Sequence, residues 1–314
     1  MLLHPEVLAI LLVNSLFFLF ALIAFVLSIR IVLFYNANES TSLQYKLQKE
    51  GYLASTIIKF IFILKIPLFL FFVFTLDSLS SLITGAMCAA GVVDATVYGN
   101  YLFVLKILNL YLFAFWLMLH YRESKREVPR YTKEKYIFFL LLFILFMIEV
   151  AVEFLMFDAI ELDKMVDCCG TLYSSASASY ISTLFHINTP LLVGLFYANG
   201  ALLFVFYFLK NRYLFALLSA LFFVSALLSL IAFFGTYIYE LPTHHCPFCF
   251  LQKEYYYIGY LLYALLFTST FYGVASAFRD EKRGMQYSLL YALIYILIVS
   301  AYVLSYYFKT GVWL

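Results

Sequence analysis

The chain has 314 residues, 65% of them hydrophobic and 12% charged, with a formal net charge of +2. That composition excludes a soluble globular domain. The basic residues are divided among connecting segments, so the small positive charge excludes a nucleic-acid surface as well.

Eight apolar runs follow one another, near 7–33, 53–76, 100–119, 136–157, 190–209, 213–236, 255–277 and 287–307. Each suffices to cross a hydrocarbon core about 30 Å thick. The fold predicted is all-α: a polytopic integral membrane helical bundle of eight transmembrane helices in a lipid bilayer. Residues 1–314 are read as one transmembrane domain, because the loops are too short for a separate folded unit. The first run is too long for a signal-peptide core and lacks a basic leader, so it is expected to remain as a span.

Orientation follows from lysine and arginine. Fourteen of the twenty basic residues fall after spans 1, 3, 5 and 7, and three (Lys164, Lys253, Lys309) fall on the other side. The basic side is expected to be cytoplasmic, which puts both termini outside. The outer loops are then 77–99, 158–189 and 237–254, and they hold all five cysteines. A bacterial inner membrane with a periplasmic cysteine face is the expected setting.

The first outer loop contains Gly85-Ala-Met-Cys88-Ala-Ala-Gly91, rich in small residues and nearly uncharged. The second begins acidic and reaches the vicinal pair Cys168-Cys169. The third reads His244-His245-Cys246-Pro-Phe-Cys249 just before the seventh span. A CxxC at a helix start is reactive for a physical reason: unpaired N–H groups stabilise a thiolate there.

Three readings of these residues stand side by side. Thiol–disulfide exchange makes Cys246, Cys249, Cys168 and Cys169 the reacting groups. Soft-metal handling, of Cu(I) or Zn(II), recruits Cys88, Cys168, Cys169, His244, His245, Cys246 and Cys249 as ligands. In the third reading the protein is a structural subunit whose disulfides brace its loops. No nucleotide-binding glycine pattern and no CxxCH haem motif occurs.

Cys246-Pro-Phe-Cys249 at a span's outer end, with Cys168-Cys169-Gly-Thr-Leu-Tyr-Ser-Ser upstream, resembles the vitamin K epoxide reductase family and DsbB-type membrane oxidases. The resemblance covers about thirty residues. It implies a quinone-proximal Cys246–Cys249 pair, a shuttle pair at Cys168 and Cys169, and a soluble periplasmic thioredoxin-like partner. The chain departs from those families in having eight spans and a vicinal loop pair.

Within the apolar runs lie Lys65, Lys106, Glu149 and Glu153. Charges at such depth are expected to pair inside the bundle, as a packing device, a proton relay or a cation path. Glu149 and Glu153 share one helix face, and Lys106 and Glu149 are expected at similar depth. Asn14 and Asn109 are expected to hydrogen-bond between helices.

Overall fold

A computed structural model describes residues 1–36, 39, 41–125, 131–161, 166, 188–278 and 282–314. Cys168 and Cys169 lie outside the described residues. Among those described there is no strand, and eight helices are long and apolar enough to span a membrane. Between 28% and 44% of each span's most apolar stretch is buried inside the protein, which leaves much hydrocarbon surface for lipid. Backbone polar groups are satisfied within each helix, as a bilayer demands.

The chain forms two compact units, Met1–Thr84 with Val92–Met165, and Gly85–Gly91 with Val166–Leu314. In the first, α1 (Pro5–Phe34), α2 (Ser42–Ser80), α4 (Val97–Ser124) and α5 (Thr132–Asp158) pack in a closed ring: α1 on α2, α2 on α4, α4 on α5, α5 on α1. The short α3 (Ala89–Asp94) precedes α4. The core of this ring is aromatic, with Phe62 stacked on Phe113 and edge-on to Trp116.

The α2 helix begins eleven residues before the apolar run at 53. Its start is set by Thr41, whose hydroxyl accepts from the Gln44 N–H at 3.3 Å. The Gln44 side chain donates to Phe34 O at 3.0 Å and accepts from Asn36 N–H at 2.9 Å. One side chain thereby ties the end of α1 to the start of α2.

The second unit repeats the four-helix arrangement with α6 (Thr189–Phe208), α7 (Arg212–Ser229), α9 (Ile258–Ala275) and α10 (Lys282–Thr310). The α7 span continues through a π-helical turn, Leu230–Phe234, into α8 (Gly235–Tyr239). At Gly273, an added Cβ would strike Ser219 and Ser288, so glycine permits the close approach of α9 to its neighbours.

Candidate functional site

The second unit gathers three sulfurs. Cys88, Cys246 and Cys249 present Sγ atoms that all lie within 4.8 Å of one another. Their residues are 0%, 1% and 6% exposed. Cys88 Sγ and Cys246 Sγ are 3.5 Å apart, a thiol–thiol hydrogen-bond contact. Cys246 Sγ also accepts from the Phe248 N–H at 3.5 Å.

The CxxC does not sit on a helix N-terminus as the sequence suggests. Cys246 lies in irregular backbone, Cys249 opens a short 3₁₀ turn (Cys249–Leu251), and α9 starts only at Ile258. Two consecutive tyrosines, Tyr256 and Tyr257, take left-handed conformations (φ 53° and 56°) and hold the chain out of the helix. Such φ values are costly for bulky residues and persist only where the surroundings impose them. The CxxC is therefore positioned by contacts of the loop and not by a helix end.

Those contacts come largely from tyrosines. The Tyr239 hydroxyl at the end of α8 donates to Cys246 O at 2.5 Å and accepts from Phe250 N–H at 3.1 Å. Tyr263 on α9 donates to Pro247 O at 2.6 Å. Gly259 lets this loop lie on α9, since a Cβ there would come within 2.9 Å of Phe250 O. On the Cys88 side, Gln252 donates to Met87 O at 3.3 Å. Gly85 takes φ 91°, and an added side chain would collide with the Val166 carbonyl. The three sulfurs are thus held by backbone anchoring on both sides, the condition for a preorganised site.

The histidines of the third loop face other partners. His244 packs edge-on to Tyr239 with ring centroids 4.4 Å apart. His245 Nδ1 lies 3.0 Å from Ile231 O, a carbonyl within the π-helical turn. A carbonyl only accepts, so Nδ1 carries the proton in this contact. Tyr255 stands edge-on to Tyr239 at 4.7 Å, and its hydroxyl is held above the usual tyrosine range, chiefly by burial. The side chain of Met87, beside Cys88, is 69% exposed.

A separate polar centre occupies the first unit. Glu149 Oε1 meets Lys65 Nζ at 2.8 Å and Lys106 Nζ at 3.1 Å, and Oε2 accepts from Asn109 at 2.6 Å. Glu153 Oε1 meets Lys106 Nζ at 2.8 Å, and Oε2 accepts from Asn14. Lys65 also donates to Asn14 Oδ1 at 3.0 Å. Two ammonium and two carboxylate groups, 5% exposed or less, cancel in charge and join all four spans of the ring. The expected Lys106–Glu149 pair and the interhelical asparagines are present, and Lys65 joins them.

Residue order marks the three sulfurs but not the tyrosines that hold their loop. Tyr239 and Tyr263 are two of 28 tyrosines in a membrane chain, where a tyrosine at a span end ordinarily reads as an interfacial anchor. Comparison with protein-family models, curated proteins and solved structures finds no match to the chain.

Proposed function

We propose that the protein binds a soft metal ion, of the Cu(I) or Zn(II) class, at Cys88, Cys246 and Cys249. The observation that carries this reading is the convergence of three buried sulfurs within 4.8 Å, drawn from segments 158 residues apart in sequence. Metal–thiolate bonds of about 2.3 Å give sulfur–sulfur edges of about 3.8–4.0 Å, so small adjustments would close the set around an ion. Sulfur donors select Cu(I) and Zn(II) over hard cations. Burial of all three sulfurs favours a small ligand over a docking protein, whose own thiol would have to reach them. The outer, periplasmic face of a bacterial inner membrane is the setting proposed.

The test is metal analysis of purified protein loaded under reducing conditions, with X-ray absorption at the metal edge. One ion per chain with a sulfur-dominated shell supports the reading. Loading that leaves the protein without bound Cu(I) or Zn(II) overturns it.

The 3.5 Å contact of Cys88 with Cys246 favours a second reading, thiol–disulfide exchange. Two thiols would lose two electrons and two protons to a quinone, giving a disulfide and a quinol, with Cys249 as the neighbouring thiol able to attack the new bond. Cys168 and Cys169 would then pass oxidation to a thioredoxin-like partner, as the resemblance to membrane thiol oxidases implies. A disulfide that forms among the three cysteines on addition of a quinone supports this reading, and thiols that stay reduced exclude it.

A further inference from the structure

At the basic-loop end of the first unit, α1, α2, α4 and α5 line an open pocket of about 340 Å³. That is within the range of small-molecule sites. Two of its lining residues, Glu123 and Lys135, are each 6% exposed and meet at 2.9 Å. Both carboxylate oxygens of Glu123 are taken, Oε1 by the Thr132 hydroxyl at 2.6 Å and Oε2 by the ammonium. An ammonium carries three N–H bonds, so Lys135 keeps donors beyond this pair.

His120 also lines the cavity. Its ring lies flat on Trp116, with centroids 5.2 Å apart and planes 6° from parallel. The Trp116 indole N–H in turn donates to Lys135 O at 3.1 Å. This stack fixes the imidazole, and its Nδ1 is buried with no hydrogen-bond partner among the described residues. A buried polar atom without a partner is costly.

The surrounding charge indicates what the ligand is. The described residues from 30 to 59 and from 120 to 135 carry eight basic and four acidic side chains. A pocket with an ammonium and an imidazole in its wall, at the basic end of a helix ring, has the chemistry of an oxyanion site. Basic pockets between transmembrane helices recognise anionic headgroups by this chemistry.

The geometry points to a binding site for an anionic phosphate group, with Lys135 and His120 as direct contacts and Glu123 as the opposing charge that limits affinity. The phosphate belongs either to an anionic phospholipid headgroup or to a soluble phosphate compound. Tyr35, Tyr52 and Tyr136 supply the less polar wall for whatever carries it.

The experiment is native mass spectrometry of the full chain, delipidated in detergent and titrated with phosphatidylglycerol, phosphatidylcholine or inorganic phosphate. One phosphatidylglycerol per chain, in preference to phosphatidylcholine, is expected. Lys135→Gln should weaken binding about fivefold or more and Glu123→Gln should tighten it by a similar factor, as the electrostatic contribution of a single charge predicts. His120→Phe, which keeps the stack on Trp116, should weaken it. Thermal unfolding of each variant identifies one that no longer folds, and the remaining two then decide the outcome. Inorganic phosphate binding with the same order of variants, and no lipid preference, supports the soluble source. Equal affinity for the two lipids without phosphate binding, absence of all binding, or weakening by Glu123→Gln in a folded protein overturns the proposal.

Discussion

Cys88 Sγ lies 3.5 Å from Cys246 Sγ, although 158 residues separate them, and both residues are essentially inaccessible. Cys88 immediately precedes the short α3, its carbonyl accepting from the Gly91 N–H at 3.0 Å, whereas Cys246 lies in irregular backbone. Gly85, Gln252, Tyr239 and Tyr263 fix the two loops through backbone groups.

The first prediction separates the three sulfurs from the soft donor beside them. Cys88→Ser or Cys249→Ser should lower Cu(I) affinity by more than about 100-fold, since losing a direct ligand costs more than losing an outer-sphere contact. Met87→Leu should leave it unchanged, because the Met87 side chain is 69% exposed. Competition titration against a Cu(I) chelator measures all three. Equal affinities would remove the metal from these thiols.

The pH dependence has a definite sign. Each thiol must lose its proton to become a ligand, so metal affinity falls as pH falls and binding releases protons into unbuffered solution. Proton release measured on addition of Zn(II) should vanish in the Cys88→Ser, Cys246→Ser, Cys249→Ser triple variant. Release that persists in that variant would assign the metal to other groups.

Tyr239→Phe tests the loop's main anchor. The change removes the hydroxyl shared by Cys246 O and Phe250 N–H and leaves that N–H buried. The expected destabilisation is about 1–3 kcal/mol, with weaker metal binding at unchanged stoichiometry. Thermal unfolding and the same chelator competition read the two effects. Unchanged metal affinity in a destabilised protein would mean that the anchor serves the fold and not the sulfur set.

What the sequence made legible follows from the range of each signal. Hydropathy is local and strong, so all eight spans are readable from residue order. The early start of α2 is marked too, since Thr41-Ser-Leu-Gln44 is a helix-start pattern, although it stands well before the apolar run. The late start of α9 carries no such mark, because Tyr256 and Tyr257 are not residues that ordinarily break a helix. The membrane charges announce themselves by their desolvation cost. The Lys135–Glu123 pair does not, because charged residues near a span end are ordinary and only packing reveals that these two are buried.

The Lys–Glu centre of the first unit makes a prediction about stability that distinguishes its two carboxylates. Glu149 receives two ammonium groups and Asn109, whereas Glu153 receives Lys106 and Asn14. Glu149→Ala leaves Lys65 without a carboxylate contact, while Glu153→Ala leaves every lysine with one. Removing one partner of a buried ion pair costs about 3–5 kcal/mol because the other charge stays desolvated. Glu149→Ala should therefore reach that range and Glu153→Ala should fall below it. Adding Lys65→Met to Glu149→Ala should recover part of the loss, since the stranded ammonium is then gone. Equilibrium unfolding in mixed micelles orders the three variants. A Glu153→Ala protein less stable than Glu149→Ala would show that Lys106, not Lys65, is the charge that most needs its partner.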